Sequence, residues 1–259
     1  MSDFRAILAF KFYLFMRKLL TTCCLFFATV TLLSAQNLLN AVEAKDYKMA
    51  GQAIRAGEDV NEKNDKGMFP LWTAVWNGDA KMVEMLIKAG GDARQKFKGE
   101  KEISLLDISA QEGPLEVAQL LVRAGCDVNE KDLRGQSPLR IAARNGRTDI
   151  VRYFLTRGAE VDTKGVDGAT PLEHAASKGH LDIVKLLVEK GADINLQDKE
   201  GDFPLGEAAR HGFVDVVNYL LNKGADIGLK NQDGNTAEEL ARLAGQAKIQ
   251  NLLKQKRKA

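Results

Sequence analysis

Between Gly135 and Gly234 this chain repeats itself every 33 residues. Glycines stand at 135, 168, 201 and 234, a second set at 158, 191 and 224, and a third at 146, 179, 212 and 245, with prolines at 138, 171 and 204. Three glycine registers and a proline register sharing one period do not arise by chance, so the chain is a stack of one supersecondary unit. That architecture constrains function more than any single residue does.

The unit from Asp167 to Asn195 shows the physics. Asp167-Gly168 signals a tight turn, for which glycine supplies the backbone freedom. Thr170-Pro171 then opens a short helix: the threonine hydroxyl can cap free amides, and proline suits the first helical position because its missing N–H would be unpaired there anyway. Leu172, Ala175 and Ala176 give that helix an apolar face on which a neighbour can approach closely, and Gly179 ends it. A second helix follows from Leu181 to about Lys190, with Ile183, Val184, Leu186, Leu187 and Val188 as its buried stripe and Asp182, Lys185 and Glu189 turned to water. Gly191 stops it in the left-handed conformation. No such unit can bury both sides of its helices alone, so stability must come from stacking.

The motif Gly168-Ala169-Thr170-Pro171-Leu172-Glu173-His174-Ala175-Ala176, with Gly179-His180 and Gly191-Ala192-Asp193-Ile194-Asn195, closely resembles the ankyrin repeat. It recurs at Gly135-Gln136-Ser137-Pro138-Leu139, at Gly201-Asp202-Phe203-Pro204-Leu205 and at Gly67-Met68-Phe69-Pro70-Leu71. The resemblance covers about Asn37 to Leu253 and implies an all-α solenoid of helix-turn-helix units joined by β-hairpin fingers. Residues 36–61 are expected to form an N-terminal capping repeat, 62–228 five regular repeats, and 229–259 a C-terminal capping repeat with a basic tail. The second regular unit departs from the pattern. It reads Glu102-Ile103-Ser104-Leu105-Leu106, without the capping threonine and the proline, and lies 35 rather than 33 residues after Pro70, so two extra residues lengthen a basic finger near Lys96 to Lys101.

The first 35 residues stand apart from the stack. Arg17 and Lys18 precede an apolar run from Leu19 to Leu33, followed by the small pair Ser34-Ala35, which is the layout of a cleaved secretory signal peptide. Cleavage would leave Gln36 as the mature N-terminus, and Met16 would open a leader of ordinary proportions. The apolar run is 15 residues long, short of the roughly 20 that span a bilayer. The expected location is therefore periplasmic or secreted, with an inner-membrane anchor as the alternative. A short basic leader and the absence of any Asn-x-Ser/Thr site point to a bacterial source.

Loss of the leader takes four basic residues (Arg5, Lys11, Arg17, Lys18) and one acidic residue (Asp3) from totals of 37 and 35, so the net charge moves from +2 to −1. No global basic field remains to attract nucleic acid, and no membrane association is expected after cleavage. The C-terminal lysines and Arg257 read as a solvated tail. Cys23 and Cys24 leave with the leader, so Cys126 stands alone in a slot that later units fill with Ala159, Ala192 and Ala225, and a small packed thiol is expected there.

Chemistry is not indicated. The three histidines, His174, His180 and His211, lack the spacing of metal ligands, the glycines serve turns and helix ends, and no serine has a nucleophile-elbow context. No catalytic residue, cofactor or metal is expected. The ankyrin resemblance instead implies that a monomeric stack binds another protein through its concave groove and hairpin tips. Carried over by register, the contact positions are Met68, Trp72, Trp76 and Asn77, flanked by Asp65 and Lys66, in the first regular unit. Leu133, Arg134, Gln136, Arg140, Arg144 and Asn145 follow in the third, Lys178 with Val166, Asp167 and Ser177 in the fourth, and Lys199, Asp202, Arg210 and His211 with Glu200 in the fifth. Trp72 and Trp76, four apart on one helix, share a face. They either anchor a partner or pack under the N-terminal cap near Leu39 and Val42. Later units place Arg140, Glu173 and Gly206 at the position of Trp72, which reads as an open slot. Arg140, Arg144 and Arg210 along the groove suggest a partner with an acidic segment. Exported proteins of this resemblance include accessory factors for stress enzymes, toxin-immunity proteins and host-directed effectors.

Overall fold

The computed structural model describes residues 38–98 and 102–258; the expected signal peptide and the tip of the long finger lie outside them. Short inner helices run over Pro70–Trp76, Leu105–Gln111, Pro138–Arg144, Pro171–Ser177, Pro204–His211 and Ala237–Leu243. Each pairs with a longer outer helix: Ala80–Lys88, Leu115–Arg123, Thr148–Thr156, Leu181–Glu189, Val214–Asn222 and Ala247–Lys256. Residues 38–43 are also helical and precede Tyr47–Arg55, so the first unit is a helix pair despite its missing turn and proline. Inner helices pack on inner helices and outer on outer, and each unit touches its neighbours.

The core is the alternation of these layers. Leu172, Ala175 and Ala176 are fully buried from one helix of the fourth unit and Ile183, Val184 and Leu187 from the other, while Val188 is only half-buried. Alanine at the inner contacts lets helix backbones approach, and the larger outer residues fill the widening space behind them.

Helix starts are solved in two ways. Ser137, Thr170 and Thr236 accept the backbone N–H of Arg140, Glu173 and Glu239. Phe69 and Phe203 occupy the same position without a side-chain cap and are instead buried in the core. The second regular unit does not lose its cap, as its sequence suggests. Ser104 accepts from the Asp107 N–H at 3.1 Å and the Asp107 carboxylate accepts from the Ser104 N–H at 3.2 Å, a complete capping box.

The fingers differ from the expected β-hairpins. In the ordinary units they are turns closed by one acidic or amide side chain: Asp132 accepts from the Arg134 and Gln136 N–H groups, and Asp198 from those of Glu200 and Asp202, all at 2.8 Å. Gly135 and Gly201 follow with φ of +67° and +75°, which other residues reach only with strain. Such a turn closes too soon for a ladder. The two-stranded pairing of Phe97–Lys98 with Glu102–Ile103 forms only in the long finger, where the extra residues give it length. Successive fingers join edge to edge, Val166 N–H to Arg134 C=O at 3.0 Å and Lys199 N–H to Asp167 C=O at 2.9 Å.

Asparagines add a clamp between units that the sequence reading did not assign. Asn61 donates to the Gly90 carbonyl and accepts from the Asp92 N–H, and Asn129 does the same with Gly158 and Glu160. Cys126 packs as its alanine slot implies: its thiol donates to the Ala93 carbonyl at 3.1 Å, and burial pushes its pKa up to about 12. The basic C-terminus is not a loose tail, since helix continues to Lys256 and Arg257 pairs with Glu238 at 3.2 Å.

Candidate partner-binding face

Near the end of each inner helix one register position forms a column along the stack: Glu43, Trp76, Gln111, Arg144, Ser177, Arg210 and Leu243 succeed one another at the repeat spacing, with Ser177 and Arg210 half-buried and the others exposed. Two cavities open on this column. One, of about 430 Å³, is lined by Glu43, Met68, Trp72, Thr73, Trp76 and Asn77. The other, of about 230 Å³, is lined by Gln111, Arg134, Gln136, Ile141, Arg144 and Asn145. The expected contact residues Met68, Trp72, Trp76 and Asn77 thus line the first cavity, and Arg134, Gln136, Arg144 and Asn145 the second, while Leu133 and Arg140 line neither.

The tryptophans divide between the two roles open to them. Trp72 is 8% exposed and stacks on Phe97 of the long finger, centroids 4.5 Å apart. Trp76 lies 6.2 Å beyond it, near-parallel, and is 67% exposed. Trp72 is thus mainly a packing residue, stacked on Phe97 of the finger and against Phe69, and Trp76 is the more exposed of the pair. Phe97 gave no signal in the sequence because the two-residue insertion displaces it from the repeat register.

The slot of Trp72 is closed in every regular unit, contrary to the sequence expectation. Its occupants Asp107, Arg140 and Glu173 are 6%, 1% and 6% exposed. A side chain at Gly206 would collide with Leu240 and Phe203, so the next unit already fills that space. Arg140 consequently is not a groove residue. Its Nη2 donates to both carboxylate oxygens of Asp167, at 2.9 and 3.0 Å, and to His174 Nε2 at 2.8 Å, tying two units together. Because arginine can only donate, His174 accepts as the neutral Nδ1–H tautomer. Burial and the Arg140 charge hold its pKa down to about 4.

The fifth unit is corrected likewise. Asp202 is buried and accepts from Arg210 at 2.8 Å and from Asn231 at 3.3 Å. Arg210 also lies 3.0 Å from the Glu207 carboxylate, so its charge is neutralised within the unit. His211 donates from Nδ1 to the Glu207 carbonyl and stacks near Phe213. Two carboxylates beside one guanidinium leave little field for an acidic ligand.

What remains open in the middle of the stack is Arg134, Arg144, Asn145, Lys178 and Lys199, all exposed, with Gln136 half-buried between them. Arg134 pairs at 3.4 Å with Asp132 of its own turn; Arg144 makes no ion pair among the described residues. Beside them, Leu133 and Val166 at adjacent finger tips are 73% and 58% exposed. The face thus offers an indole at one end, Arg144, Lys178 and Lys199 without ion pairs among the described residues in the centre, and an apolar ridge on the finger side. Among the described residues, no group of three or more histidine, cysteine or carboxylate side chains is placed to hold a metal, and no helix is long and apolar enough to cross a membrane.

The family model for ankyrin repeats matches three times, over residues 38–132, 106–198 and 191–259, and so spans the described stack. The chain is an ankyrin-repeat protein. Among curated proteins it is similar to human and bovine Ankyrin repeat and SOCS box protein 3, each 29% identical over 100 residues. That stretch is 38% of this chain and 19% of each relative, so the match concerns repeats and not the whole of either protein. Ankyrin repeats are typically non-enzymatic modules that bind other proteins.

Proposed function

We propose that this ankyrin stack captures an acidic segment of another protein in the centre of its concave face. The observation that carries the reading is the contrast between arginines: Arg140 and Arg210 are consumed by internal carboxylates, while Arg144, with Arg134 and Lys178 beside it, faces the groove. A stack of inner helices spaced roughly 8–10 Å apart offers a wall long enough for a standard interface of about 800 Å² per partner. Charges at such a surface set association rate and selectivity more than bulk affinity.

The test is charge reversal. Arg134→Glu, Arg144→Glu and Lys178→Glu combined should abolish capture of the partner, whereas Lys88→Glu on an outer helix should not, and neither variant should change the melting temperature because all four positions are exposed. Capture that survives the triple reversal defeats the reading.

We further propose that the stack works outside the cytoplasm, with cleavage between Ala35 and Gln36. The basic pair Arg17-Lys18, the apolar run and the small residues after it support this. Cell fractionation with N-terminal sequencing decides it: a mature start at Gln36 in the soluble fraction is the expected result, and an uncut chain in the membrane fraction would make the protein an anchored adaptor.

A further inference from the structure

The acidic and the basic members of the concave column lie at different places. Glu43 is exposed at the N-terminal cavity and makes no ion pair among the described residues, whereas Arg144 stands three units further on. Between them and beside Glu43 is Trp76, the one phenylalanine, tyrosine or tryptophan among the described residues that is exposed.

The described tyrosine rings, all half-buried, are each covered by a cation of this chain. Lys81 lies 4.2 Å from the centroid of Tyr47, Arg157 5.1 Å from that of Tyr153, and Lys223 5.7 Å from that of Tyr219. Even the buried Phe69 has Lys63 over it at 5.3 Å. Tryptophan is the strongest cation acceptor of the three aromatic types, because its face carries the greatest negative potential. Yet Trp76 has no such partner among the described residues. Its stack on Trp72 and, through Trp72, on Phe97 fixes the indole plane, so a ligand would not have to immobilise it. Thr73, a residue 8% exposed, also lines this cavity, with its hydroxyl oxygen buried behind the surface.

We propose that the cavity between Glu43 and Trp76 seats a lysine or arginine side chain of the partner segment. The cation lies on the open indole face, its charge balanced by the Glu43 carboxylate. This rests on the concave face being the partner-binding surface and gives the segment a direction. Its basic residue is on Trp76 and its acidic residue is at Arg144, two inner-helix steps from Trp76 or roughly 16–20 Å away. An extended chain covers that distance in about five or six residues.

The full chain carries two tryptophans, both in this cavity, so their fluorescence reports the site directly. N-acetyl-lysine amide and N-acetyl-arginine amide should shift the emission saturably. N-acetyl-norleucine amide, which keeps the four side-chain carbons of lysine and lacks the ammonium, should bind at least about fivefold more weakly. Ligand-detected NMR on Glu43→Gln and Trp76→Leu should show that each weakens lysine binding several-fold while leaving norleucine binding and the melting temperature unchanged. Equal binding of lysine and norleucine by the native chain would make this an apolar pocket and overturn the proposal. So would the absence of any saturable response. Either result leaves the charge-reversal experiment on Arg134, Arg144 and Lys178 untouched, so failure of the cation site and failure of the groove are separately visible.

Discussion

At the level of single residues, the side chains at the end of an inner helix and those four positions earlier have opposite fates. Trp72 is enclosed by the long finger and Trp76 is left in water. Trp72→Ala should therefore cost about 3–5 kcal/mol as a core truncation, while Trp76→Ala should stay within about 0.5 kcal/mol. Urea denaturation of the two variants measures the difference. Glu173 makes a second test. Burial, reinforced by Asp198, Glu207, Asp202 and Asp167, pushes its pKa from 4.5 up to about 9, so it is protonated in the folded chain at neutral pH. The folded state then binds a proton that the unfolded state releases. That stabilisation is complete below 4.5 and disappears as pH rises towards 9. His174 works the other way: its pKa falls from 6.5 to about 4, so its contribution is lost as pH drops through that range. Glu173→Gln should remove the alkaline decline, seen as a smaller fall in melting temperature between about pH 6 and about pH 9 than the native chain shows.

At the level of elements, the second regular unit is the informative one, because it reaches the common geometry with different chemistry. Its Ser104–Asp107 capping box replaces the Thr-Pro start, although burial raises the Asp107 pKa to about 6, with the two Ser104 hydrogen bonds opposing the shift. Ser104→Ala should cost about 1 kcal/mol. Hydrogen exchange should show the loosening in Leu105–Gln111 and its neighbours rather than across the chain. The longer finger of the same unit is where the fold departs from its own rule. Its strands carry Phe97 onto Trp72, and Lys96 at its base pairs with Glu130 at 2.6 Å. An insertion that reads as a basic protrusion in the sequence is thus a brace that orients the indoles.

Across the whole molecule, stability accumulates by nearest-neighbour contact. Leu172 is completely buried in the fourth unit, and Leu172→Ala should cost about 2–5 kcal/mol. Because each unit touches its neighbours alone, the damage should stay local and unfolding should lose its two-state character, with fluorescence from the N-terminal tryptophans and circular dichroism of the whole chain giving different midpoints. Coincident midpoints would show that the units are coupled more tightly than contact alone implies. The distribution of charge is also a property of the whole stack. Acid at Glu43 and uncompensated base at Arg144 belong to different units, and only their order along one face makes them a pair.

The repeat, the helix pair, the capped helix starts and the family were legible in the sequence because they depend on local chemistry. A glycine needs a positive φ, a proline fits a first turn, and apolar periodicity marks a buried stripe, whatever lies elsewhere. The residues that reach the groove were legible only in part, because exposure is set by side chains a whole unit away. Arg140 occupies the slot of Trp72, but Asp167 and His174 of the next unit draw it inward, and Asp202 is covered by Arg210 and Asn231. Glu43 went unnoticed because the first unit lacks the turn and proline that anchor the register, although it lies one period before Trp76. Sequence by itself determined that this is a stack and where its inner helices end. Tertiary structure decided which charges are satisfied within the stack and which are left for a partner, since that depends on contacts between units that no single unit contains.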